Sequence, residues 1–165
     1  MEDRFETIHT ETFDKKNRKK YAENSIHSNA PFEDYKYNLG IDIKDLKNKK
    51  VLDIGGKPNG IFAHQALRKG IDLITFNPAM SALEPSPSQT VAGYVQEIPF
   101  KNETFDLEIA LGSVPIYLPN YESEYRNMFS EIIRTLKTGG KGIIYPIPGN
   151  IYQSKIFLNI IKDLE

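Results

Sequence analysis

A chain of 165 residues has the length of one domain, and at that size folding buries roughly 70% of the extended surface, enough for a core without metal or disulfide staples. The absence of cysteine excludes thiolate zinc sites, iron–sulfur clusters, disulfide frameworks and cysteine nucleophiles. With 21 Lys+Arg against 22 Asp+Glu there is no basic surplus, which argues against a dedicated nucleic-acid binder.

The start, Met1-Glu2-Asp3-Arg4, is acidic and polar where a secretory signal needs a basic start followed by an apolar stretch. The nearly apolar stretches at 142–147 and 156–161 are far too short to span a bilayer, so the reading is a soluble, cytoplasmic protein without a membrane partner. Residues 1–45 read as a polar N-terminal helical segment and 46–165 as an α/β domain. Within the first, Lys15, Lys16, Arg18, Lys19 and Lys20 form a basic run that is either a solvated helix face or a phosphate-contacting arm. Pro31 and Phe32 break this segment, and Leu39-Gly40-Ile41 begins a connector.

From Lys50 onward short apolar runs alternate with helical periods. Val51-Leu52-Asp53-Ile54 reads as a buried strand stopped by Gly55-Gly56. A helix follows on the spacing of Phe62, Ala63, Ala66 and Leu67, with Asn59 as N-cap and Gly70 as its stop. Further strands are expected at 71–76, 91–95 and 105–111. An amphipathic helix carries Tyr125, Met128, Phe129, Ile132, Ile133 and Leu136 on one face and ends at Thr138-Gly139-Gly140. A fifth strand at 142–147 and a last helix at 152–164 complete the pattern. The alternation implies right-handed crossovers and a Rossmann-like, mostly parallel sheet of about five strands with helices on both faces. Ligands of such sheets sit beyond the carboxyl ends of the strands, which points to the segment 53–60.

Three segments in the same order resemble class I S-adenosylmethionine-dependent methyltransferases. Val51-Leu52-Asp53-Ile54-Gly55 resembles the opening of that family's glycine-loop motif. Ile98-Pro99-Phe100 followed by Phe105-Asp106-Leu107 resembles its passage into strand four, and Glu131-Ile132-Ile133-Arg134-Thr135-Leu136-Lys137-Thr138-Gly139-Gly140 its segment before strand five. The resemblance implies a truncated class I methyltransferase fold and S-adenosylmethionine as cofactor. It assigns the cofactor to Asp53, Gly55, Gly56, Lys57, Asn59, Asn77, Tyr94 and Gln96, and an acceptor pocket to Ser113 and Tyr117. No catalytic group is singled out, and the spacing of His9, His27 and His64 matches no metal motif.

The ligand-contacting positions depart from the family pattern. Lys57 and Asn59 stand where the family has glycines that let the backbone approach the cofactor. Lys57 also brings positive charge toward a sulfonium and an ammonium; it is either a solvent-facing loop residue or part of an anion site at the following helix start. Asn77 replaces the acid expected on the ribose, and Tyr94 the Asp expected on the adenine amino group. Two such losses at about 1.5 kcal/mol each weaken binding about a hundredfold. Replacing Lys57 with Gly and Asn77 with Asp is then expected to strengthen it. Asp53 is read either as a loop-anchoring acceptor or as a group near the cofactor's methionine end, and Tyr117 either orients an acceptor or packs.

Pro85 and Pro87 disfavour the helix that the family has between strands two and three. The sequence stops after the helix that follows strand five, so strand five is expected at a sheet edge that a second copy or a partner subunit covers. Two functions follow as expectations. One is a methyltransferase with a weakened cofactor site; the other is a catalytically inactive methyltransferase-like binding or regulatory protein.

Overall fold

In the computed structural model, residues 29–57, 59–78 and 89–164 are described. The apolar runs form five strands: β1 (Lys50–Ile54), β2 (Asp72–Phe76), β3 (Gln89–Val91), β4 (Phe105–Leu111) and β5 (Leu136–Tyr145). They pair in the order β3-β2-β1-β4-β5, every pair parallel, with Val51 in register with Leu73 on one side and Leu107 on the other. The helices are α1 (Phe32–Leu39), α2 (Ile43–Leu46), α3 (Ile61–Arg68), α4 (Glu122–Thr135), α5 (Gly149–Tyr152) and α6 (Lys155–Leu164).

Strand alternation divides the core in two. Val51, Leu73, Leu107 and Ile109 face one way and pack with Tyr35 and Leu39 of α1, Ile41, Leu46 of α2 and Phe62 and Ala66 of α3. Leu52, Ile54, Ile74 and Phe76 face the other way and meet Tyr125, Met128 and Ile132 of α4, Ile151 of α5 and Phe157 and Ile160 of α6. The fold is thus the expected α/β one with helices on both faces. Residues 29–45, in the part that reads as polar, place Tyr35, Leu39 and Ile41 in this core. The basic run at Lys15 to Lys20, and Pro85 and Pro87, lie outside the described residues.

Four boundaries differ from the sequence expectation, each for a local reason. The third strand is Gln89–Val91 instead of 91–95, because β2 ends before Pro78, which has no N–H for a ladder, and Gly93 turns so close to Phe76 that a Cβ would lie 2.7 Å from its ring. The fifth strand begins at Leu136 and ends at Tyr145. Thr138-Gly139-Gly140, expected to close the helix, is instead a bulge in β5, where Gly139 takes φ 79° and the register shifts between the pairs Phe105–Leu136 and Leu107–Lys141. The last helix is two, because the Ser154 hydroxyl accepts the Phe157 N–H at 3.1 Å and starts α6 afresh. The fourth, the start of α3, belongs to the site below.

The charged residues of the segment that carries the family resemblance build the amino-terminal end of the sheet. Arg134 donates to the Phe100 and Ile98 carbonyls at 2.8 Å each and pairs with Glu131 at 2.7 Å, while Glu131 accepts the Ile98 N–H at 2.7 Å. Lys137 bonds both oxygens of Asp106 at 2.8 and 2.9 Å, and Asp106 also accepts the Lys50 N–H at 2.8 Å. These contacts tie α4 and the approach to β4 to the sheet and touch no cleft at its carboxyl end. β5 forms one edge of the sheet, with Tyr145 46% exposed. Among the described residues no helix is long and apolar enough to cross a membrane.

Candidate functional site

β1 delivers Asp53 to the carboxyl end of the sheet, on the α1 and α3 face, where it is 3% exposed. The chain then has to turn within two residues, and only glycine fits. Gly55 takes φ 81° and a Cβ there would lie 2.3 Å from that of Ser113; a Cβ on Gly56 would lie 2.0 Å from Asp53 Oδ2. The Tyr35 hydroxyl of α1 donates to Asp53 Oδ2 at 3.0 Å and Oδ1 at 3.2 Å. Burial pushes the Asp53 carboxyl up to about 7, with the Tyr35 hydrogen bond pulling the other way. The phenol of Tyr35 is itself held well above its usual range, by burial first and by the Asp53 charge second.

Two further tethers shape the loop. Asn77, 2% exposed at the end of β2, donates its side-chain N–H groups to the Gly55 and Gly56 carbonyls at 3.2 Å each. Ser113, 4% exposed beyond β4, donates its hydroxyl to the Ile54 carbonyl at 2.6 Å. Asn77 is therefore more than a weakened ribose acceptor: its donors are committed to the protein's own loop, a job that an ionised carboxylate cannot do.

The cleft that results has a free volume of about 270 Å³, open solvent at its mouth included. Asp53, Gly55, Gly56 and Lys57 of the sequence assignment line it together, with Lys57 half-buried. Asn77 and Ser113 brace the loop from behind. Asn59 is exposed and bonds His64 at 2.8 Å instead of capping α3. The N-cap is Gly60, and the Ile61 N–H is taken by Oδ1 of Asn29 at 2.9 Å. A side chain 32 residues upstream supplies the cap because Gly60 approaches the Lys57 carbonyl too closely for any side chain, a Cβ falling 2.9 Å from it. Tyr94, Gln96 and Tyr117 do not line the cleft. Tyr94 is half-buried, Gln96 donates to Glu124 of α4, and Tyr117 is half-buried in the turn after β4, its N–H on the Ser113 carbonyl at 3.3 Å.

Six cleft residues are absent from the sequence assignment: Asn29, Ala30, Tyr35, Gly60, Phe62 and Leu111. Tyr35 and Leu39, four apart in a segment stopped by Gly40 with φ 66°, carry the only local signal, a short helix with one apolar face.

Comparison with solved structures gives the architecture a relative. A TehB-like SAM-dependent methyltransferase from Corynebacterium glutamicum superposes with a TM-score of 0.58 at 17% identity, over 92% of this chain and 84% of its own. The chain has a class I methyltransferase fold. A protein from Pyrococcus horikoshii matches at TM-score 0.51 and 23% identity, over 72% of this chain and 59% of its own. Geranyl diphosphate C-methyltransferase from Streptomyces coelicolor, solved with Mg²⁺, geranyl diphosphate and S-adenosylhomocysteine, matches at 0.51 and 13%, over 90% and 59%. This chain thus spans 59% of the length of two of these three proteins. A scan of protein-family models gives no match, and neither does a search of the curated proteins.

One of these structures is of a SAM-dependent methyltransferase and another holds S-adenosylhomocysteine, and the residues here fit such a cofactor in part. A buried carboxyl beside a side-chain-free loop suits an ammonium approached by backbone. At β2 the fit is poorer, because Asn77, held to the loop by its donors, offers a ribose one neutral amide oxygen in place of a carboxylate. With open solvent left out, the cavity of the cleft is about 10 Å³, room for about one water and far below the roughly 300–1,000 Å³ usual for small-molecule sites.

Proposed function

We propose that the chain binds S-adenosylmethionine weakly at the Asp53 cleft and transfers its methyl group to an acceptor still to be found. The observation that carries this reading is the conjunction at the end of β1 of a buried carboxyl and a glycine loop that no side chain can enter. When bound, the cofactor supplies an electrophilic methyl group on a sulfonium. The chain's own part is to bind and align, with Asp53 facing the ammonium and Gly55-Gly56 letting the backbone close in, and methyl transfer needs chiefly such alignment. A second reading, a methyltransferase-like binding protein without catalysis, is favoured by Asn77, whose amide serves the loop at the place where a ribose would be gripped.

Calorimetric titration with S-adenosylmethionine and S-adenosylhomocysteine separates the two. The first reading expects a Kd weaker than about 10 μM, roughly −7 kcal/mol. Tighter binding would overturn the claim of a weakened site, and no heat at millimolar ligand would favour the second reading. Lys57→Gly, by removing a like charge from the cleft, should tighten binding severalfold.

A further inference from the structure

Asp53 and Tyr35 meet because packing brings them together. α1 is tied to α3 through the Phe32 N–H, which donates to Gln65 Oε1 at 2.6 Å. The Tyr35 ring stacks on Phe62 at a centroid distance of 4.1 Å. The ring is thus placed by apolar contacts, and its hydroxyl arrives between the two Asp53 oxygens at 3.0 and 3.2 Å. A donor fixed in this way stabilises the charged form of a carboxyl over the neutral one and opposes burial.

We propose that Tyr35 is a positioning residue whose hydroxyl keeps the Asp53 carboxyl ionised and in one orientation, ready for a cationic group entering the cleft. The last clause rests on the reading of Asp53 as the ligand-facing carboxyl; the hold of Tyr35 on Asp53 does not. Lys57 is the other titratable side chain lining the cleft. From β2 and β4 the neighbours of Asp53 in register are Thr75 and Ile109, and α3 presents Phe62, none of which titrates.

The test uses the full chain and Tyr35→Phe, which keeps the ring and its stacking and removes one oxygen. The Asp53 carboxyl, followed by carbon NMR, should titrate near 7 in the wild type, where burial pushes it, and about one pH unit higher in the variant, the worth of one hydrogen bond to a charge. Affinity for S-adenosylhomocysteine, compared with wild type at the same pH, should fall about fivefold at pH 7 and recover at pH 9, where the carboxyl is ionised in both. Without any substitution, the Tyr35 ring resonances should move with the Asp53 titration. An unchanged carboxyl titration, ring resonances indifferent to it, or an affinity loss as large at pH 9 as at pH 7 would each overturn the proposal. A wild type that binds S-adenosylhomocysteine at no pH would overturn the functional reading instead, and the carboxyl titration would still decide the role of Tyr35.

Discussion

Each face of the sheet buries one carboxyl among the described residues, Asp53 on the α1 and α3 side and Glu108 of β4 beneath α4. Burial pushes both up to about 7. Glu108 is opposed by the Thr135 hydroxyl, which donates to Oε1 at 2.6 Å, and by the charge of Arg134; its Oε2 has no partner. The perturbation is the same and the surroundings are opposite. Asp53 ends its strand beside a glycine loop and opens on a cleft, whereas Glu108 sits mid-strand, sealed by α4. A raised carboxyl pKa by itself therefore marks burial, and geometry decides which of the two can meet a ligand.

The largest effect expected from breaking this contrast comes from adding an acid to the Asp53 end. Asn77→Asp would replace donors to two carbonyls, each 3.2 Å away, with a carboxylate that repels both. The structure thus reverses the expectation that an acid here would strengthen binding. The loss should be about 3 to 4 kcal/mol at pH 8, read as a lower urea midpoint, with ligand affinity lost as the loop loosens. At pH 5 a protonated Asp can donate one bond again, so part of the deficit should return. A variant as stable as wild type at pH 8 would remove Asn77 from its bracing role.

Next in size is a gain. Burial pushes the folded pKa of Glu108 up to about 7 from the usual 4.5. The folded state therefore holds its proton where the unfolded state has lost it, and stability is full below about pH 4.5 and declines as pH rises through 7. Glu108→Met fills similar space without a charge, and Thr135 keeps the Glu131 carbonyl as acceptor at 2.8 Å. It should stabilise by roughly 2 kcal/mol at pH 8 and by little at pH 5, with ligand binding unchanged. Asp53→Asn has the same sign for stability, since its pKa is also raised, but should abolish binding. Equal effects of the two variants on binding would erase the distinction between the carboxyls.

The same contrast explains what could be read from the sequence. The segment at 131–140 and the Asp106 position were legible as parts of a recurrent sequence pattern, and their charged groups make scaffold contacts, such as Arg134 on the Ile98 and Phe100 carbonyls and Lys137 on Asp106. They reveal the fold and nothing of the ligand. Asp53, Gly55 and Gly56 were legible because a strand end must turn there. Tyr35 and Asn29 were not, since they come to the cleft from a segment whose composition is polar and which carries no part of that pattern. Gln96 and Asn77 occupy positions that alignment with a family pattern assigns to a ligand, yet Gln96 bonds Glu124 and Asn77 the loop. Side-chain identity gave no hint of which partner would win.

The smallest effect sharpens the comparison at the cleft wall. Asn29 supplies the acceptor that Gly60 cannot, so Asn29→Ala should cost about 1 kcal/mol, the usual worth of a helix cap. Asn29→Asp keeps an acceptor on the Ile61 N–H and puts a negative charge at the start of α3, where the helix dipole favours it. That variant should be at least as stable as wild type. It also adds an anion to the cleft that Asp53 lines, so the Asp53 carboxyl should titrate at higher pH while Glu108, on the far face of the sheet, should not move. Carbon NMR titration of both carboxyls in the one variant reads this directly. A shift at Glu108 as large as that at Asp53 would mean that the sheet does not insulate the two faces, and the argument from geometry would lose its ground.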